Sequence, residues 1–296
     1  MPDKKTLILY DSVEFFIPYM ESENIEVSRL YKKRNFLITI IKKFFFSINR
    51  YAPFWYEDWH KKINSYDKVI IFASKEYTFI RKIKETNPSV DIIFWYWNPV
   101  FRVSIPKKEL YSLASLWSFD KNDCQKYNMN YNTTFYFENI KLEAKPFKYD
   151  NLFVGINKGR RKILDDLEKK LKEKGFENYF YIVPDPNETN VADNKPINYK
   201  EYLNLLAAST CIIDILPVGQ SGQTLRPMES IFFKKKLITN DVHVKQEDFY
   251  DRNNIFILGE DNFDEIENFI TSPYQEVNTE IIKYYDFKNW LKRFDK

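Results

Sequence analysis

Residues Asp214-Ile-Leu-Pro-Val-Gly-Gln-Ser-Gly-Gln-Thr-Leu-Arg-Pro-Met-Glu-Ser-Ile-Phe-Phe-Lys-Lys-Lys-Leu-Ile-Thr239 read as a strand, a glycine loop, a helix and a second strand. Residues 211–215 form a short apolar run of strand type. Gly219 and Gly222 then interrupt regular structure. The spacing predicts a helix from Gln223 or Thr224, with a capping hydroxyl on Thr224 and Pro227 in the first turn. Met228, Ile231 and Phe232 share one face, and Lys234, Lys235 and Lys236 suit the negative end of the helix dipole. A helix amino terminus behind a glycine loop presents free N–H groups to an anion. Arg226 opposes the dipole where it stands and fits best opposite a phosphate. Glu229, about one turn on, is placed to accept hydrogen bonds from a ribose. The same residues also read as an ordinary strand-to-helix loop of an α/β domain.

Outward from this stretch, strands and helices alternate twice along the chain. In the first half, strands are expected at 6–10, 24–30, 68–73, 90–96, 115–119 and 132–137, and helices at 35–48, 53–65 and 75–86. In the second half, strands are expected at 151–156, 178–183, 211–215, 237–239 and 255–258. Helices there are expected at 160–174, 199–207, 263–270 and 279–294, the first ending at Gly175. Residues 138–150 carry no strong pattern and Ala144-Lys-Pro146 is linker-like, so the domains are expected to be 1–145 and 146–296, with the last helix able to pack back on the first. This alternation predicts an α/β chain of two doubly wound, Rossmann-like domains facing across a cleft.

Asp11 ends the first strand, where open α/β sheets place their ligands; it reads equally as a strand-end cap. Trp97 and Asn98, held by Pro99 after a buried strand, are a candidate binding pair or an aromatic turn. Asp120 is a candidate helix N-cap. Residues 32–50 set Lys32, Lys33, Arg34, Lys42, Lys43 and Arg50 around an apolar run. They read either as a buried crossover helix with basic ends or as a segment making weak contact with an anionic membrane.

Composition narrows the class. Aromatics make up 18% and charged residues 29% of 296 residues, enough for two cores and a wet surface. Cys124 and Cys211 stand apart with no framework, and no export signal or membrane-length apolar run is visible, so a cytoplasmic protein is expected. His60 and His243 form no cluster for a metal. The net charge of +3 is uneven: residues 1–145 carry 23 Lys+Arg against 17 Asp+Glu, and the remainder 22 against 25. The basic residues are dispersed and no recognition motif is present, which argues against nucleic acid.

The 214–239 stretch resembles the donor-sugar loop of GT-B glycosyltransferases. Phe153-Val-Gly-Ile-Asn-Lys-Gly-Arg160, residues 117–123 and residues 250–258 are similar to bacterial members that build capsule, lipopolysaccharide or exopolysaccharide. The resemblance implies transfer of a sugar from a nucleotide-diphosphate donor to a glycan acceptor, commonly lipid-linked, at the inner face of the membrane. It assigns the diphosphate to the amides of Gly222, Gln223 and Thr224 and the ribose to Glu229. It places the basic first half on the acceptor side. Many retaining members carry a second glutamate eight positions earlier; here that position is Ser221, which leaves stereochemistry open.

No Asp-x-Asp motif is present, so neither metal nor other cofactor is expected, and Lys158, Arg160 and Arg226 are the candidate cations for the leaving diphosphate. Asp11 is the candidate base for the acceptor hydroxyl. A pyruvyl or phosphosugar transferase, and a two-domain binding protein without catalysis, share the same expected layout.

Overall fold

A computed structural model of the chain describes residues 5–11, 15–32, 51–185, 188, 194–217 and 224–295. The helix expected at 35–48 and the residues Gly222 and Gln223 lie outside them. The chain divides into two compact units, Met1–Thr133 with Arg293–Lys296, and Thr134–Lys292.

The first unit is built on a parallel sheet of β1 (Thr6–Tyr10), β2 (Ile25–Arg29), β3 (Lys68–Phe72), β4 (Asp91–Tyr96), β5 (Ser115–Ser118) and β6 (Asn130–Tyr131), in the order β2-β1-β3-β4-β5-β6. All of β3, and β4 apart from Asp91, is buried, as near-continuous apolar strands must be when both faces of a parallel sheet are covered. Leu7, Leu9, Val69, Ile71 and Phe94 share a core with Phe79, Ile80 and Ile83 of helix α1 (Phe79–Thr86). The short helix α2 (Leu110–Leu113) precedes β5. Helix α3 (Lys121–Tyr127) follows β5 and is capped by Asp120, whose carboxylate accepts the N–H groups of Asn122 and Asp123.

The expected 53–65 helix is instead three short 3-10 turns, Pro53–Trp55, Asp58–Lys61 and Ile63–Ser65. Trp55, Trp59 and Ile63 are nevertheless all buried, and the Trp59 indole donates to the Leu30 carbonyl at 3.1 Å. Burial at spacing four, which mimics a helix in sequence, here follows a chain that dips into the core three times.

The second unit holds a parallel sheet of β7 (Tyr149–Ile156), β8 (Asn178–Val183), β9 (Ser209–Asp214), β10 (Lys236–Thr239) and β11 (Ile255–Ile257), in the order β11-β10-β9-β7-β8. Helix α4 (Arg161–Glu173) buries Leu164, Leu167 and Leu171 on the face that presents Phe153, Ile182, Cys211 and Ile213. Helices α5 (Tyr199–Ala207) and α6 (Arg226–Phe233) pack on the central strands β7, β9 and β10. Helix α7 (Ile266–Thr271) follows β11 and joins α4 in the same core.

Residues 132–137 do not close the first sheet. The edge strand there is Asn130–Tyr131, and Tyr136 belongs to the second unit, where its N–H donates to Tyr285 O at 2.9 Å and its carbonyl accepts from Phe287 N at 2.8 Å. The chain therefore leaves the first unit at 133/134, earlier than its linker-like composition at 144–146 suggests. The terminal helix is also broken, into α8 (Thr279–Tyr285) and α9 (Phe287–Lys292), because Asp286 is extended and its carboxylate accepts from Glu138 N at 2.9 Å and Lys288 N at 3.1 Å. Arg293–Lys296 return to the first unit. There Phe294 packs edge-on against Trp95 and Trp117, and Arg293 donates to Asn132 and Thr133 side chains at 2.7 and 2.6 Å.

In each sheet the chain starts in the interior, moves one strand outward, then crosses back over to the other side. The reversal falls between β1 and β3 in one unit and between β7 and β9 in the other. Such a switch point opens a crevice at the carboxyl ends of the two strands, where open α/β sheets bind ligands.

Candidate functional site

At the switch point of the second unit, β9 ends at Asp214 and β7 runs into the loop that carries Arg160. Asp214 is buried, and its Oδ1 accepts from the Thr224 hydroxyl at 3.0 Å and from Arg226 Nη1 at 3.3 Å. Thr224 Oγ1 also accepts the Arg226 N–H at 3.2 Å, so one hydroxyl joins the strand end to the first residue of α6. The helix begins at Arg226, two or three residues later than its composition suggests; its N-cap is Leu225, which makes no side-chain cap, and Thr224 stands one residue before it.

Arg226 donates from Nη2 to Val154 O at 2.6 Å, and its guanidinium lies 5.3 Å from the Phe153 ring. Arg160 lies 5.0 Å from the same ring. It donates to the carbonyls of Asn157 at 3.2 Å, Ile156 at 2.9 Å and Ile215. Burial, with the neighbouring Arg226, lowers the Arg160 pKa to about 10. Gly155 makes room for both cations: a Cβ there would stand 2.9 Å from Arg226 Nη2 and 3.2 Å from Arg160 Nη2. Two guanidiniums thus share one aromatic ring, and among the described residues Asp214 is the carboxylate that bonds to either.

The β7–α4 loop turns through two left-handed residues, Lys158 at φ 48° and Gly159 at φ 76°. Their N–H groups point at the Asp185 carboxylate at 3.1 and 3.2 Å. Lys158 is exposed at the rim.

Glu229 does not present its carboxylate to solvent. It is buried, with Oε1 accepting from the Tyr199 hydroxyl at 3.1 Å and Oε2 from the Tyr202 hydroxyl at 2.7 Å. Tyr199 is further hydrogen-bonded to Tyr136. Burial raises the Glu229 pKa, opposed by the Tyr202 hydrogen bond and Arg226. The phenols are also pushed up, first by burial and then by the carboxylate. The side chain expected to face a ribose therefore ties α6 to α5. A ribose would have to compete with two phenols for it.

In the first unit, Asp11 directly follows β1 at that sheet's switch point and is half-buried. Trp97 directly follows β4, packed edge-on against Phe16 at 4.8 Å with Phe72 at 6.2 Å, and Asn98 is exposed. Among the described residues, no group of three or more His, Cys, Asp or Glu side chains is placed to hold a metal ion. A cavity of about 570 Å³ lies toward the other end of the second sheet, between Tyr149, Tyr179, Tyr181 and the flank of α5, and includes none of the switch-point residues.

The structure thus brings Arg160, Thr224 and Arg226 together and turns Glu229 away. It adds Asp214, Gly155, Tyr199 and Tyr202, which sequence reasoning did not assign. The pair Tyr199 and Tyr202, three apart on a helix and so on one face, was the visible signal for the last two.

No protein-family model matches the chain, and no curated protein matches it in sequence. Solved structures align with it, two of them as follows. One is the Glycosylation Associate Protein (Gap123) complex from Streptococcus agalactiae, at 14% identity and a TM-score of 0.41, covering 79% of this chain and 51% of that one. This chain therefore spans about half the length of that structure's chain. The other is T4 phage BGT in complex with its UDP-glucose substrate, at 12% identity and a TM-score of 0.49, covering 98% of this chain and 96% of that one.

Proposed function

We propose that the chain is a glycosyltransferase of GT-B type, moving a sugar from a nucleoside diphosphate to a glycan acceptor. The observation that supports it most directly is the pair Arg160 and Arg226 on Phe153, with Asp214 bonded to Arg226, at the switch point of a doubly wound sheet. That crevice holds two fixed guanidiniums where such sheets bind ligands, and a leaving diphosphate needs cationic groups fixed before the bond breaks.

In this reading Arg226 and Lys158 meet the diphosphate, and the amides of Gly222, Gln223 and Thr224 complete the cradle. Arg160, bonded to three carbonyls, holds the strand ends and lends its field. Glu229 acts by positioning α6 through Tyr199 and Tyr202. Asp11 takes the proton of the acceptor hydroxyl, and Trp97 with Asn98 borders the acceptor. The charge of the leaving group is met by side chains and amides, so the reaction runs without a divalent metal. The acceptor is a glycan on a lipid carrier in bacterial surface polysaccharide synthesis, reached from the cytoplasmic face, with residues 32–50 as one region of membrane contact.

Titration with UDP, GDP and CDP tests this. A nucleotide at about a hundred times its Kd should stabilise the native protein by about 2.7 kcal/mol. Arg226→Gln should weaken that nucleotide by about 1.5–3 kcal/mol, the range for a charge-assisted hydrogen bond, while the variant still folds. If none of the three nucleotides stabilises the protein, the reading fails.

A further inference from the structure

From residue 92 to residue 108 the chain contains no Asp or Glu, and it places Arg102, Lys107 and Lys108 on the loop that follows β4. That loop is anchored at several points. Val100 is fully buried and its N–H donates to Asp123 Oδ2 at 2.8 Å. The Tyr96 hydroxyl donates to Ser104 O at 3.0 Å, and Pro106 is buried. The turn between them is closed by Arg102 N to Pro99 O at 2.9 Å and Val103 N to Val100 O at 3.1 Å.

What these anchors hold outward is apolar. Phe101 and Ile105 are each 65% exposed, the highest values for large hydrophobic side chains among the described residues. The Arg102 guanidinium lies 5.6 Å from the Phe101 ring, and Lys107 and Lys108 are exposed beside them in sequence. The next carboxylate, Glu109, is paired with Arg81. A fixed loop gains nothing in water from two large apolar tips. Apolar tips flanked by cations that form no ion pair among the described residues match the boundary zone of an anionic bilayer, where hydrocarbon receives the tips and lipid phosphates meet the cations.

We propose that this loop docks the first unit reversibly on an anionic membrane surface, with Phe101 and Ile105 entering the boundary zone and Arg102, Lys107 and Lys108 among the headgroups. The contact is distinct from residues 32–50 and does not depend on the transferase reading.

Sedimentation of the full chain with vesicles decides it, using phosphatidylcholine alone and phosphatidylcholine mixed with phosphatidylglycerol. Binding is expected only to the mixed vesicles, and it should fall with added salt. The double variant Phe101→Ser, Ile105→Ser should lose at least about tenfold in partitioning, since two large side chains no longer leave water. Neutralising Arg102, Lys107 or Lys108 to Gln should cost about fivefold each. Lys42→Glu with Lys43→Glu, in the other proposed contact, should leave the loss caused by the Phe101, Ile105 variant undiminished. The variants at Phe101, Arg102, Ile105, Lys107 and Lys108 alter exposed side chains, and their unfolding temperatures should match the parent. Absence of binding at low salt, equal binding to neutral vesicles, or unchanged binding by the Phe101, Ile105 variant would overturn the proposal. Nucleotide stabilisation of the same samples reports separately on the transferase reading.

Discussion

At Glu229 the local sequence and the fold disagree about direction. A carboxylate in the first turn of α6, just past a glycine loop, reads as a ligand group, yet the side chain lies between Tyr199 and Tyr202. Burial favours its neutral form and raises its pKa. A carboxyl whose folded pKa stands above its unfolded value stabilises the fold fully below the unfolded value. That contribution is lost as pH rises through the raised one. Glu229→Gln, neutral at every pH, should therefore gain in stability relative to the parent between acid and neutral pH. Urea unfolding of both proteins across that range measures it; a difference that stays flat would contradict the raised pKa. Glu229→Ala should cost about 2–4 kcal/mol, because two buried phenols lose their acceptor and a cavity opens. Arg226 shows the complementary case. Its conflict with the helix dipole was visible in sequence, but its anchors, Asp214 and Val154, were not.

Among the elements, the strands were the most legible. Runs such as 69–72 and 92–96 are apolar without alternation, and each becomes a buried parallel strand. Helix ends and breaks were less so, because their causes lie far along the chain. Asp286 breaks the terminal helix while accepting from Glu138 N, a partner 148 residues away. Beyond that break, the last short turn serves the first unit. Phe294 fills the space between Trp95 and Trp117, and the buried Lys68 pairs with Asp295. Phe294→Ala should destabilise the first unit by about 3 kcal/mol, in the range for deleting a buried aromatic. Truncation after Lys292 should cost more, since Lys68 then keeps only Asp91 at 3.9 Å. Tryptophan fluorescence during thermal unfolding reads both. Unfolding temperatures equal to the parent would show that the C-terminal turn carries no stability.

For the whole molecule, charge and topology carry the functional argument. Both sheets reverse strand order next to their first strand, and the chemistry-bearing residues Asp11, Arg160, Asp214 and Arg226 all follow or flank those reversals. If Arg226, Lys158 and the loop amides neutralise the leaving diphosphate, transfer from the nucleotide sugar that binds should persist in EDTA. Activity abolished by EDTA and restored by manganese would contradict this, whereas modest stimulation by a cation would fit faster product release. No helix among the described residues is long and apolar enough to cross a membrane.

The sequence alone determined the α/β class, the two rounds of strand–helix alternation, and the caps at Asp120 and Gly175. These depend on side chains a few positions apart, where periods of two and 3.6 residues leave a local trace. Only the tertiary structure decided where the chain passes from one unit to the other, which cations share Phe153, that a Cβ at Gly155 would crowd both of them, and that Glu229 points inward. Strand register and crossovers bring those partners together over separations such as the 72 residues between Val154 and Arg226, and no local pattern encodes which distant carbonyl or phenol will meet a given charge.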